Sequence, residues 1–147
     1  MIKTAKDFFT REQREDIRQA VMNAELDTSG EIRIHIEKNC TGDVLDRAAY
    51  LFEKLGMHKT ELRNGVLFYL AVENRKFAAI GDKGINAVVS ENFWDDIKLL
   101  LLNQFREGDF TGGLIGGIML VGEKLKTHFP YKSGDVNELP DDVTFGK

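Results

Sequence analysis

Apolar residues recur every three or four positions in four stretches of the chain, and this period predicts four main helices. The first helix, over 11–25, follows Thr10 and Gln13, the residue pair of a capping box. The other helices run between residues that cap or end a helix. Their predicted limits are Thr41 to Gly56, Ser90 to Phe105 and 111–128, with a helical turn at 85–89.

Three short stretches predict strands instead. Residues 31–37 alternate strictly, so one face carries isoleucines and the other, which includes His35, is expected to meet solvent or a helix. Residues 65–72 form a continuous apolar run, typical of a strand buried on both faces. Residues 76–80 follow a turn and complete an antiparallel hairpin. The helix between the first two strands predicts that these are parallel, through a right-handed crossover.

The order of these elements, α-β-α-β-β-α-α, predicts the α/β fold class. We expect an α/β/α sandwich, in which a small mixed sheet with the second strand at its centre carries helices on both faces. A chain of 147 residues has room for one domain. We place that domain at 1–130, and the polar, acidic residues 131–147 predict a poorly ordered tail.

The charge balance narrows the function classes. Lys and Arg number 20 against 24 Asp and Glu, and the net charge of −4 without a basic run argues against nucleic-acid binding. The single cysteine, Cys40, excludes a disulfide framework. The longest apolar run, 114–121, is shorter than the roughly 20 residues of a membrane span. The charged start resembles no targeting peptide, so we expect a cytoplasmic protein. We separately expect a monomer.

The predicted topology brings polar residues to one edge of the sheet. The first two strands begin there and the third ends there, so we expect Asp27, Glu31, Asn64 and Asp82 to lie together, among glycines. Carboxylate, amide and backbone oxygens suit a hard cation such as Ca²⁺ or Mg²⁺. Asp, Asn and Gly are also the residues of ordinary turns and caps, and spacing alone favours that simpler interpretation.

Four glycines interrupt the apolar stripe of the last helix. Gly112 and Gly116, and likewise Gly113 and Gly117, are four residues apart. Each glycine lowers helix stability by roughly 1 kcal/mol relative to alanine. We therefore interpret them as a smooth stripe that permits a close helix–helix or helix–sheet contact.

Five motifs between residues 26 and 127 occur in an order and spacing that resemble the TPM domain family. They are Gly30-Glu31, Asn64-Gly65-Val66-Leu67, Glu73-Asn74-Arg75-Lys76, Gly81-Asp82-Lys83-Gly84-Ile85, and Phe105-Arg106-Glu107-Gly108-Asp109-Phe110 before a glycine-bearing helix. The chain is similar to the soluble, stand-alone bacterial members.

The resemblance implies a compact α/β/α sandwich, a divalent-metal site and a phosphatase activity, with calcium the ion linked to some members. Carried over by position, the polar residues at matching sites are Glu31, Asn64, Asp82, Glu91 and Asp109. Together with Asp27 from the predicted sheet edge, they make up the candidate metal ligands. A helix running from 85 to 106 would carry Asp109 away from Asp82, unless that helix breaks near Ser90.

Two functions follow from these residues and the resemblance. The first is a divalent-metal-binding domain that serves as an interaction or maintenance module for a protein partner. The alternative is a metal-assisted, acid-phosphatase-like phosphoester hydrolase, for which Arg63 and Lys83 would supply positive charge near the strand ends. The first is favoured because no nucleophile-and-base motif accompanies the acidic residues.

Overall fold

The computed structural model describes residues 4–131 and 143–146, which form an α/β sandwich around a mixed sheet of four strands in the order β3-β2-β1-β4. The strands are β1 (Glu31–Glu37), β2 (Gly65–Ala71), β3 (Lys76–Gly81) and β4 (Val143–Phe145). The helices are α1 (Arg11–Glu25), α2 (Val44–Lys54), α3 (Lys83–Asn86), α4 (Phe93–Arg106) and α5 (Phe110–His128), with 3₁₀ turns at Ala5–Phe8 and Met57–Lys59. The predicted fold class is confirmed.

The pairing of the three long strands agrees with the sequence-based topology. β1 and β2 are parallel, with Glu31 opposite Gly65. β2 and β3 are antiparallel, with Val66 opposite Gly81. Because β2 is paired on both sides and buried along its whole length, its continuous apolar run is explained.

Successive side chains of each strand point to opposite faces of the sheet, and each face is covered by a layer of helices. Ile32, Ile34 and Ile36 of β1 face the main core, which α1, α4 and α5 complete. Leu67 and Tyr69 of β2 face the opposite side and pack with α2 in a smaller cluster. The predicted helices on both faces are thus confirmed.

α1 begins at the capping box that the sequence predicts. The Thr10 hydroxyl accepts a hydrogen bond from the Gln13 backbone at 3.0 Å, and the Gln13 side chain accepts one from the Thr10 backbone at 2.9 Å. These reciprocal bonds satisfy two donors that a helix start otherwise leaves unpaired. α1 therefore starts where predicted and runs to Glu25.

α5 packs closely against its neighbours through its glycines. A Cβ placed on Gly113 would lie 3.0 Å from the Phe105 ring of α4, and one on Gly117 would lie 3.1 Å from the Phe68 ring of β2. This confirms the close contact predicted for the glycine stripe. None of the helices in the described part of the chain is long and apolar enough to cross a membrane.

The region after β3 differs in detail from the prediction. The helical turn expected at 85–89 is α3, which starts at residue 83 because the Asp82 side chain accepts the Lys83 backbone hydrogen at 2.8 Å. α4 starts at Phe93 rather than after a Ser90 cap. The first shift follows from that capping bond, whereas Asn92, which precedes α4, makes no side-chain capping hydrogen bond.

The prediction of a poorly ordered tail over 131–147 is wrong for residues 143–145, which form β4 parallel to β1. Val143, Thr144 and Phe145 are β-branched or aromatic, and β1 offers an otherwise open edge for them to pair with. The rest of the predicted tail, at 132–142 and 147, lies outside the described residues. Tyr131 also donates a backbone hydrogen bond to Asp27 at 2.8 Å.

Candidate functional site

Three polar residues named from the sequence meet at the sheet edge where β1 and β2 begin and β3 ends. The Glu31 backbone donates to the Asn64 carbonyl at 3.4 Å, and the Asp82 backbone donates to the Gly65 carbonyl at 2.9 Å. These bonds join the chain at Glu31, Asn64 and Asp82 across three neighbouring strands. We call the segments 27–31, 60–65 and 81–84 the polar edge.

Asp82 is held by an arginine. Arg63 and Asp82 form a bidentate salt bridge. Arg63 Nε lies 2.6 Å from Asp82 Oδ2, and Arg63 Nη2 lies 2.9 Å from Asp82 Oδ1. The Asp82 side chain is only 8% exposed, whereas the Arg63 side chain is 37% exposed. The hydrogen bond to Asp82 raises the pKa of Arg63. The carboxylate is thus already neutralised by a cation from the same chain.

Asn64 holds the most unusual polar atom of the edge. Its side chain is 1% exposed, and its amide nitrogen donates to Ser29 Oγ at 3.3 Å. Its backbone donates to Thr60 Oγ1 at 3.1 Å. Its side-chain oxygen, Oδ1, is buried and has no hydrogen-bond donor among the described residues. Such an oxygen is exceptional in a folded protein and calls for a water or a cation.

The two remaining acids from the predicted edge differ in their surroundings. Glu31 is 3% exposed and lies on the same face of β1 as Arg33, His35 and Glu37. Asp27 is exposed, and its backbone has a left-handed φ of 65°. Asp27 therefore lies at the outer limit of the edge, whereas Glu31 is built into the sheet.

Glu91 and Asp109 lie outside the three segments of the polar edge. Glu91 is exposed in the turn before α4. Asp109 caps α5, where its carboxylate accepts the Gly112 backbone hydrogen at 2.8 Å. α4 runs from Trp94, beside Gly81, to Phe105, whose ring contacts Phe77 at the far end of β3. Asp109 follows that far end, although the helical segment is interrupted between Asn86 and Phe93.

The donors at the edge are therefore mixed rather than acidic. Across residues 4–131 and 143–146, no three His, Cys, Asp or Glu side chains are grouped so that they could hold a metal ion. What the edge does offer is one orphaned amide oxygen, the hydroxyls of Thr28, Ser29 and Thr60, two buried carboxylates and backbone carbonyls. These are hard oxygen donors with little net charge, because Arg63 offsets Asp82.

A second polar cluster, which was not predicted from the sequence, lies on the α2 face of the sheet. Arg47 of α2 contacts both Glu37 oxygens, at 3.0 and 2.5 Å, and the Tyr69 hydroxyl donates to Glu37 at 2.7 Å. His35 lies 3.4 Å from the same carboxylate and 2.6 Å from the Thr144 hydroxyl of β4. The alternation of polar residues with isoleucines along β1 is the sequence feature that could have indicated this cluster.

Burial and ion pairing set the protonation states in this cluster. Burial lowers the pKa of His35 below its ordinary 6.5, against the smaller opposing effect of Glu37. Burial acts to raise the pKa of Glu37, but the hydrogen bonds from Arg47 and Tyr69 outweigh it, so the pKa lies below its usual 4.5. The buried face of β1 thus carries an ionised Glu37 beside a neutral His35. Of the two surroundings expected for His35, solvent or a helix, solvent is excluded by its burial.

The chain folds as a small α/β sandwich, and oxygen donors lie in the loops at one end of its strands. The family model of the TPM domain matches residues 2–124. The chain belongs to the TPM domain family. Comparison with curated proteins gave no match.

Solved structures share this fold. The BA42 protein of the psychrophilic bacterium Bizionia argentinensis, determined by NMR, is 45% identical, with a TM-score of 0.88 over 99% of this chain and 100% of that one. The N-terminal domain of a protein from P. gingivalis is 16% identical, with a TM-score of 0.66 over 84% of this chain and 82% of that one. An N-terminal domain from Corynebacterium glutamicum is 13% identical, with a TM-score of 0.64 over 84% and 78%. The last two are similar in fold alone.

Proposed function

We propose that this TPM domain binds a divalent cation, Ca²⁺ or Mg²⁺, at the polar edge and acts as an interaction or maintenance module for a protein partner. The observation that carries the proposal is the buried Asn64 Oδ1, which lacks a hydrogen-bond donor among the described residues. A cation satisfies such an oxygen directly, since amide oxygens are ligands for hard cations.

The neighbouring groups support a cation rather than an anion. Ser29 Oγ lies 3.3 Å from the Asn64 amide nitrogen. The buried Glu31 begins β1, and the buried Asp82 directly follows β3. Few formal charges surround the orphaned oxygen. Affinity for Ca²⁺ rises with the number of charged ligands, so we expect weak binding, with a Kd of about 10⁻⁴ to 10⁻³ M.

The test is a titration with Ca²⁺ and with Mg²⁺, followed by two-dimensional NMR of the backbone amides. The expected result is a saturable shift confined to 27–31, 60–65 and 81–84. Asn64→Ala should abolish it because the orphaned oxygen is gone. Asn64→Asp should tighten binding, and added Ca²⁺ should raise the Tm of that variant more than that of the natural chain.

The matched control is Asn103→Ala, which removes an exposed asparagine from α4. This variant should bind the cation as the natural chain does. If Asn64→Ala and the natural chain respond identically, Asn64 Oδ1 is not a ligand. If none of the proteins shows a saturable shift at millimolar Ca²⁺ or Mg²⁺, the proposed function is refuted.

The second candidate is metal-assisted hydrolysis of a phosphoester. Lys83 favours it, because this exposed cation follows Asp82 at the same edge and could contact a phosphate. Turnover of a simple phosphate ester, measured with and without Ca²⁺ or Mg²⁺, tests it. Metal-dependent turnover that Asp82→Asn abolishes would make hydrolysis the leading function, and shifts without turnover favour the binding module.

The proposal also covers the setting in which the domain acts. We expect a cytoplasmic monomer that meets a protein partner through the cation-bound edge. Size-exclusion chromatography with light scattering, with and without Ca²⁺, tests the oligomeric state. A dimeric mass in both conditions would contradict the monomer.

A further inference from the structure

A groove lies between α1 and α5, and its volume is about 490 Å³. Its lining residues fall within 16–24 of α1 and 115–126 of α5, outside the three segments of the polar edge. We propose that this α1–α5 groove binds a basic amphipathic helix of a partner protein. The inference goes beyond the proposed function and does not depend on it, because no cation takes part.

Small residues form the bottom of the groove, where the two helices are closest. A Cβ on Gly122 would lie 2.8 Å from Ala24 Cβ, and Ala20 lies one turn before Ala24 on the same face of α1. Because none of these three residues has a long side chain, the helices meet while the space above them stays open. The groove thus follows from the packing of α1 against α5.

The wall that α5 supplies is apolar. Ile115 and Met119 are four residues apart, so they lie on one face of the helix beside the groove. Met119 is 59% exposed although its side chain is large and apolar. Covering it with an apolar partner favours binding, and its flexible thioether chain can adapt to the shape of that partner.

The wall that α1 supplies is polar, and its groups are engaged with one another. Gln19 Nε2 donates to Asn23 Oδ1 at 3.0 Å. Lys126 is the one cation among the described residues that line the groove, and its Nζ donates to the Asn23 carbonyl at 3.4 Å. Its charge is therefore directed at the last turn of α1, where a helix carries a partial negative charge.

Two carboxylates determine the charge that an occupant needs. Asp16 and Glu123 are both exposed, and neither makes an ion pair within the described part of the chain. Because Gly122 contacts Ala24, Glu123 lies near the end of the groove that is about 12 Å beyond Asp16 along α1. A partner helix with basic residues seven or eight positions apart would match both carboxylates.

The two walls together define the chemistry of the partner. An apolar residue at every third or fourth position would cover Met119 and the small residues below it, as in other helices that bind in grooves. Lysine or arginine at the two ends would pair with Asp16 and Glu123. An acidic helix or an anionic membrane surface would be repelled by the same carboxylates.

The test uses a fluorescent synthetic helix with a leucine stripe and two lysines about seven residues apart, and a second peptide with glutamates in place of the lysines. Fluorescence anisotropy in excess EDTA measures binding without any divalent cation. The lysine peptide should bind saturably and about tenfold more tightly than the glutamate peptide. Its backbone amide shifts should lie within 16–24 and 115–126.

Variants of exposed residues test the two features of the groove separately. Asp16→Lys combined with Glu123→Lys should reverse the preference, so that the glutamate peptide binds more tightly. Met119→Gln should weaken binding of the lysine peptide about tenfold, because apolar contact is lost. The matched controls are Leu120→Gln, next to Met119 but outside the groove, and Glu53→Lys on α2, and both should bind as the natural chain does.

Each other outcome overturns the proposal. Equal binding of the two peptides, a double variant that keeps the natural preference, or no saturable binding at millimolar peptide would refute a site for a basic helix. A dimeric mass in light scattering that Met119→Gln converts to a monomer would show that a second copy of the chain occupies the groove instead. Because EDTA removes divalent cations, none of these results bears on the proposed function, and a failure of Ca²⁺ binding would leave the groove proposal standing.

Discussion

The contact between α5 and α1 at Gly122 offers a sharp test of the packing. A Cβ on Gly122 would lie 2.8 Å from Ala24 Cβ, 3.1 Å from its Cα and 3.3 Å from its carbonyl oxygen. Two of these three atoms belong to the backbone of α1, which cannot rotate away. We therefore predict that Gly122→Ala forces α1 and α5 apart.

The magnitude follows from two opposing contributions. Replacing glycine with alanine inside a helix stabilises the helix by roughly 1 kcal/mol. Overpacking a well-filled contact lowers the free energy of unfolding by about 1–3 kcal/mol. Gly116→Ala on the same helix isolates the first contribution, because its nearest neighbour is the mobile end of Leu100, 3.4 Å away.

The assay is urea unfolding of both variants and the natural chain, with the midpoint and slope compared. Gly116→Ala should unfold at a higher urea concentration than the natural chain. Gly122→Ala should be less stable than Gly116→Ala by about 1–3 kcal/mol, and adding Ala24→Gly should reduce this difference. Equal stabilities, or the reverse order, would refute the close contact.

Three further predictions concern hydrogen bonds that the fold buries. Tyr69→Phe removes one donor to Glu37 and should lower the free energy of unfolding by about 1–3 kcal/mol in urea titrations; an unchanged midpoint would contradict this. Because the pKa of His35 is lowered in the fold, stability should fall as the pH drops from 6.5 through the folded pKa, and His35→Gln should flatten that part of a Tm–pH profile. Thr28→Val leaves the Gly30 backbone hydrogen without its acceptor and should lower the urea midpoint by an amount equivalent to about 1–3 kcal/mol; a neutral result would show that the hydroxyl is dispensable.

The location of the polar edge could be predicted because it depends on topology. A helix between β1 and β2 requires that both strands begin at the same edge, and a tight hairpin returns β3 to it. These two rules place Glu31, Asn64 and Asp82 together without any knowledge of side-chain packing. The same reasoning identified the close packing of α5, since a four-residue glycine repeat lies on one helical face.

The buried charges of β1 could not be predicted by the same rules. Alternation along 31–37 shows that one face is polar, but it does not show what covers that face. Arg47 contacts this face from α2, and Thr144 contacts it from a strand about a hundred residues further along the chain. The pairing of β4 with β1 depends on three residues only, which is too short for a period to reveal.

The charge at the polar edge depends on a pairing that sequence patterns do not encode. Arg63 and Asp82 are 19 residues apart, and Arg63 has a left-handed backbone conformation. No local sequence pattern predicts either feature. A count of acidic residues therefore overstates the negative charge available to an ion, because the topology that gathers Asp82 at the edge gathers Arg63 as well. The neutral Asn64 Oδ1 is left as the unsatisfied acceptor.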